Sequence, residues 1–173
     1  MKYRSGLEVC SWRGADDHSF SLRLDRYQFP HIKKGHDANW LVVSVSARND
    51  EGDDWERRVP CLLTWELVWI RKWLAKVAST SNAKSEVSFL EPDLKLAFLR
   101  AEPCRYHFSV ALTWGLSRTM DERPSVIHLE VSQSELWRAL EQLDRAIEQF
   151  PSRGEVGKVN RQLGPWAKSG DDT

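Results

Sequence analysis

From Cys104 to Trp114 the chain alternates without a break. Cys104, Tyr106, Phe108, Val110, Leu112 and Trp114 are apolar or aromatic, and Arg105, His107, Ser109, Ala111 and Thr113 stand between them. Successive side chains of a strand point to opposite faces, so such a run places one face on a core and leaves the other wetter. The same period recurs. Phe20, Leu22 and Leu24 alternate with Ser21, Arg23 and Asp25, and Leu41, Val43, Val45 and Ala47 alternate with Val42, Ser44 and Ser46. Leu94, Leu96 and Phe98, then Ile127, Leu129 and Val131, repeat it. Weaker strand patterns cover Leu7–Arg13, Trp55–Val59 and Glu86–Leu90. Most connections between these runs are short, whereas a parallel crossover needs a dozen or more residues. The strands are therefore predicted to be mainly antiparallel.

Two segments switch to helical spacing. Ser132 and Glu135 form a Ser-x-x-Glu capping box, after which Leu136, Leu140, Leu143, Ile147 and Phe150 share one stripe and Pro151 follows the stop. The earlier helix is expected from about Thr64, as N-cap, to about Ala78. Trp65, Leu67, Trp69, Ile70, Trp73, Leu74 and Val77 sweep a broad apolar arc there, with Glu66 inside it. A wide apolar face implies contact on more than one side. The predicted fold class is α+β: a mostly antiparallel, curved sheet or sandwich of about eight strands with two packed α-helices. Strand order does not follow from the sequence. Residues 1–153 read as one domain, and residues 154–173, rich in Gly, Pro and charge, read as a mobile tail.

The chain has 173 residues with 25 Lys plus Arg balanced by 25 Asp plus Glu. A nucleic-acid binder usually carries a basic excess, and a membrane-surface protein a polybasic segment; this balance argues against both. Cys10, Cys61 and Cys104 cannot all pair within the chain, which suits free thiols in a reducing compartment. The stretch Cys61–Ala78 is interrupted by Glu66, Arg71, Lys72 and Lys76, so it does not read as a membrane span. Nor do the first residues read as a signal peptide. The expectation is a soluble cytoplasmic protein.

Catalytic signatures are sparse. The sequence has no Gly-x-Ser-x-Gly elbow, phosphate-cradling glycine loop, His-Glu-x-x-His helix or Cys-x-x-Cys pair. His31, His36 and Asp37 are close in sequence, but their spacing in a loop fixes no shared face, and solvated loop residues are the simpler reading. No cofactor or metal is expected. Glu66 is the most unusual residue. A carboxylate in an apolar arc is either an acid or base with a raised pKa, or a structural group held near a helix N-terminus by the dipole and a buried Trp, Tyr or Arg donor. Without a matched second group the structural reading is favoured.

Asp50, Glu51, Asp53, Asp54 and Glu56 make an acidic cluster around Gly52 and Trp55. It reads either as a solvated turn with Trp55 turned inward, or as a partner-facing patch anchored by Trp55. The Trp65/Trp69/Trp73 stripe reads as core rather than as a stacking platform.

Several segments together resemble the immunity proteins of bacterial wall-associated-protein toxins, the WapI-like family. They are Tyr27-Gln28-Phe29-Pro30, Asp37-Ala38-Asn39-Trp40-Leu41, Trp55, Pro60-Cys61-Leu62-Leu63-Thr64-Trp65-Glu66, Trp73-Leu74, Phe89-Leu90-Glu91-Pro92 and Phe150-Pro151. The resemblance implies a non-enzymatic protein that neutralises a toxin domain by binding it. The best-known toxin of this type is similar to a transfer-RNA-cleaving nuclease. Asp37, Asn39, Glu66 and Glu91 match the family pattern without an assigned role. The expected partner is a protein, with no direct nucleic-acid or membrane contact, and the acidic cluster from Asp50 to Glu56 is the candidate contact. Oligomeric state is left open. Two other readings stand beside it: a Trp-rich ligand- or carbohydrate-binding module, and an enzyme using Glu66 with His107 or His128.

Overall fold

The computed structural model describes residues 6–14, 17–48, 54–80, 85–113 and 125–154. Strands β1 (Leu7–Arg13), β2 (Ser19–Tyr27), β3 (Trp40–Arg48) and β4 (Asp54–Leu63) form one sheet in that order, followed by helix α1 (Thr64–Thr80). Strands β5 (Ser85–Ser88), β6 (Leu94–Glu102), β7 (Arg105–Leu112) and β8 (Ser125–Ser132) form a second sheet, also in chain order, followed by α2 (Gln133–Gln149). All described pairings are antiparallel. The chain thus runs twice through one plan, a four-stranded meander and then a 17-residue helix. That duplication of architecture has no visible counterpart in the residue sequence. The expected α+β fold is observed, as two separate sheets rather than a closed barrel.

The alternating residues do what their period requires. On β7, Tyr106, Phe108, Val110 and Leu112 are buried, while the residues between them are partly exposed. Trp12 of β1 stacks on Phe108 with ring centroids 5.2 Å apart and planes 19° apart, and Trp73 of α1 meets the same ring edge-on at 5.7 Å. Phe108 is therefore where the first sheet, the second sheet and α1 share one core. Burying a side chain of this size is worth about 1.5–3 kcal/mol. On α2, Leu136, Ala139, Leu140, Leu143 and Ala146 are buried. Its start follows the capping box, with Ser132 Oγ accepting from Glu135 N–H at 3.3 Å and Glu135 Oε2 accepting from Ser132 N–H at 2.8 Å.

Three local expectations shift. Cys104 belongs to a turn, not to β7: its φ is +62°, and it follows Pro103 between the paired residues Glu102 and Arg105. Strand β4 continues past Val59 through Pro60 to Leu63, which an edge strand permits because a missing N–H can face away from the ladder. In α1, Trp73 is core, but Trp65 and Trp69 are only half-buried. Trp114, expected to end the long alternation, lies outside the described residues.

At one edge the two sheets approach closely. A Cβ built on Gly14 would fall 2.2 Å from the His128 carbonyl oxygen of β8, so this position has room only for glycine. The neighbouring His18, itself buried, places Nδ1 3.2 Å from that same oxygen. Among the described residues no helix is long and apolar enough to cross a membrane.

Candidate functional site

The β3–β4 hairpin holds the acidic cluster anticipated from sequence. Asp50, Glu51 and Asp53 lie outside the described residues. Asp54 opens β4 opposite Arg48, which grips both carboxylate oxygens, Nε to Oδ1 at 2.7 Å and Nη2 to Oδ2 at 2.8 Å. Those hydrogen bonds hold the Asp54 carboxyl below its ordinary range. Trp55 is half-buried and packs on the core edge, with the Arg57 guanidinium 6.0 Å from its ring centroid. Glu56 is exposed. Arg48 and Arg57 therefore interleave with Asp54 and Glu56 at this hairpin, and Trp55 is divided between core packing and surface.

Glu66 is fully buried, with no exposed surface. It stands in the first turn of α1. Its Oε2 accepts from the Leu63 N–H at 2.8 Å, the reach-back of a capping box, and its Oε1 accepts from the Leu90 N–H at 2.7 Å. The donors are main-chain amides rather than the aromatic or Arg side chain expected. Thr64, anticipated as the cap, is the first helical residue, and its hydroxyl donates instead to Asn39 Oδ1 at 2.9 Å. Burial raises the Glu66 pKa to about 7; the two amides counter this in part, and nearby Glu91 adds to it. The two histidines considered as its catalytic partners have other neighbours. His107 Nε2 lies 3.2 Å from Glu102 Oε1, and His128 is exposed on β8. Glu66 joins the end of β4 and the β5–β6 connection to the start of α1, and that is a structural task.

The opposite end of β3 carries a second arrangement that sequence alone did not reveal. The β2–β3 connection, residues 28–39, ends in a short 3-10 turn, Asp37–Asn39. Asn39 is 1% exposed, and all of its amide is engaged. Nδ2 donates to the Gly35 carbonyl at 2.9 Å and the Arg153 carbonyl at 3.2 Å, while Oδ1 accepts from Thr64 Oγ1 at 2.9 Å and the Arg153 N–H at 2.8 Å. Arg153 in turn donates through Nη1 to the carbonyls of Phe29, Pro30 and Ile32 at 3.0–3.3 Å, with its Cζ 3.3 Å from the Tyr27 ring centroid. Tyr27 donates its hydroxyl to the Pro151 carbonyl at 2.7 Å. The segment after α2 is thus strapped across the loop. A buried Asn in a short turn signals such a hub, because buried polar groups find partners; that its partner is Arg153 is not local information.

His31, His36 and Asp37 are all exposed on this loop. His36 is not brought to a metal cluster; its ring lies edge-on to Trp40 at 5.9 Å and to Trp65 at 5.4 Å. Among the described residues no group of three or more His, Cys, Asp or Glu could hold a metal ion. The described tryptophans are distributed over β1, β3, β4, α1 and α2. Among the described residues, two concavities of about 180 and 360 Å³ have only Trp12 between them as an aromatic lining residue.

Most of the segments quoted above for their family resemblance meet at this end: Tyr27–Pro30, Asp37–Leu41, Thr64–Glu66 and Phe150–Pro151. The Immunity protein WapI-like family model matches residues 11–151. The chain therefore belongs to the WapI-like family of immunity proteins. Comparison with curated proteins finds no match. Among solved structures, the plant transcriptional regulator PBF-2 superposes with a TM-score of 0.45 at 9% identity, covering 94% of this chain and 96% of that chain.

Proposed function

We propose that this chain is a non-enzymatic immunity protein which binds and neutralises a toxin domain delivered between neighbouring bacteria, and that it does so in the cytoplasm. Membership of the immunity family is the single observation that carries this reading. The state of Glu66 supports it: the one carboxylate in the helix core has both oxygens engaged by main-chain amides and no exposed surface from which to reach a substrate. The acidic hairpin, Asp50, Glu51, Asp53, Asp54, Trp55 and Glu56, is one proposed contact, suited to a basic patch on the partner.

The test begins with the sequence of the neighbouring genes and, where one encodes a large toxin, is co-expression with the C-terminal domain of that toxin. Sensitive cells carrying both are expected to grow, and cells carrying the toxin domain alone to arrest. Arrest in both overturns the reading. Charge reversal at Asp53 and Asp54 reads the hairpin separately: unchanged affinity for the toxin domain removes it from the interface.

A further inference from the structure

The loop at the far end of β3 combines two properties that rarely coincide. All residues from Pro30 to Asp37 are exposed, including Ile32 at 38%. Yet the backbone that carries them is fixed at several points. The Arg153 guanidinium takes the carbonyls of Phe29, Pro30 and Ile32, the Asn39 amide takes that of Gly35, and the Ile32 N–H returns to the Phe29 carbonyl at 3.2 Å. The side chains are exposed, although the Lys33 ammonium donates back to the Pro30 carbonyl at 2.8 Å and the His36 ring meets Trp40 and Trp65, so the loop is held by polar contacts and contributes little apolar burial to the core. Ordering a surface before binding removes part of the entropy cost of association. The geometry is that of a display.

What it displays has a definite chemistry. Lys33 and Lys34 stand on the tip beside Ile32, and His36 leans on the half-buried Trp40 and Trp65 at its base. Asp37 is the single acid between Pro30 and Asp37. An exposed isoleucine followed by two lysines, on a loop whose His36 meets two half-buried indoles, matches an acidic protein surface with an apolar recess: apolar and aromatic groups anchor such contacts, and the charges orient them. With two lysines in the loop, the cationic footprint is small for a nucleic-acid groove. The acidic hairpin lies at the other end of the nine-residue β3, roughly 25–30 Å away at about 3.3 Å per residue.

We propose that residues Pro30–Asp37, backed by Trp40 and Trp65, form a second interaction surface that docks on an acidic face of the toxin domain. This rests on the immunity reading above. The experiment is a calorimetric titration of the full chain with the purified C-terminal domain of the neighbouring toxin, and in parallel with bulk transfer RNA. Three chains are compared: unaltered, Ile32→Ser/Lys33→Glu/Lys34→Glu, and the hairpin charge reversal Asp53→Lys/Asp54→Lys. All of the loop side chains changed are exposed, and circular dichroism melts verify that the fold is kept. The loop variant is expected to lose affinity for the toxin domain by about tenfold or more, the effect of removing an anchor, and binding by the unaltered chain is expected to weaken as salt rises. Toxin affinity that stays within about twofold in the loop variant overturns the loop proposal and leaves the immunity reading standing. Loop-dependent binding of transfer RNA without binding of the toxin domain overturns it in favour of a nucleic-acid surface. No binding of the toxin domain by the unaltered chain overturns the immunity reading, and the loop proposal with it.

Discussion

The carboxylate of Glu66 accepts the Leu90 N–H at 2.7 Å across 24 residues of sequence, while its other oxygen accepts the N–H of Leu63. One buried side chain thereby ties the first turn of α1 to the last residue of β4 and to the connection between β5 and β6. Burial holds its pKa near 7, above the ordinary carboxylate value, so the folded state binds a proton that the unfolded state releases. Below about pH 4.5 both states are protonated and the group is neutral to stability. As pH rises toward 7 the folded protein progressively loses stability, by about 3 kcal/mol in all above pH 8. Urea unfolding of the wild type and Glu66→Gln between pH 5 and 8 checks this. The wild type is expected to lose stability relative to the variant as pH rises; a difference independent of pH contradicts it.

Asn39 makes four hydrogen bonds in a buried position, two to Arg153 main-chain atoms. Asn39→Ala removes partners from groups with little access to water and is expected to cost about 2–4 kcal/mol. Asn39→Asp is expected to cost at least as much, since it turns an oxygen toward the carbonyls of Gly35 and Arg153. Denaturation midpoints measure both, and an aspartate variant as stable as wild type contradicts the assignment of the hub.

Gly14 sits where the sheet edges touch, and an added Cβ would meet the His128 carbonyl oxygen at 2.2 Å. Backbone must move to admit it. Gly14→Ala is expected to destabilise by about 1–3 kcal/mol, the usual cost of overpacking. A thermal melt indistinguishable from wild type would show that the sheets separate freely at this edge.

The three thiols are unequal. Cys10 and Cys61 are buried, and burial pushes the Cys10 thiol up to about 12 and the Cys61 thiol well above its ordinary value. Cys104 is exposed at its turn. Only thiolates react quickly with disulfide reagents, so a water-soluble reagent should modify Cys104 in the native protein and the other two only after unfolding. Rapid native labelling of Cys10 or Cys61 contradicts the packing.

The residues that announced themselves in sequence are those whose role is set within a few neighbours. Ser132 and Glu135 specify the start of α2 by themselves, and the alternation through Phe108 fixes which face of β7 is buried. The pattern Trp55–Val59 fell short of β4, which continues through Pro60, because a missing N–H is harmless only on an edge strand and edge position is a property of the sheet. Trp65 misled because helical spacing places it on the apolar arc, while the wall it meets is His36 of another loop. Arg153 was illegible as a clamp: its partners at Phe29, Pro30 and Ile32 lie more than 120 residues earlier. The acidic cluster was conspicuous in composition, but its pairing through Arg48 and Asp54 depends on hairpin register.

The proposed immunity function is neutralisation of a toxin domain by binding it rather than by acting on it as a catalyst. Titrating the purified chain into a fixed amount of the neighbouring toxin's C-terminal domain, and following the toxin's own activity, separates those possibilities by stoichiometry. A binder is expected to abolish activity at equimolar addition, with a sharp break. Undiminished activity in excess of the chain, or complete inactivation by a small fraction of an equivalent, would contradict it.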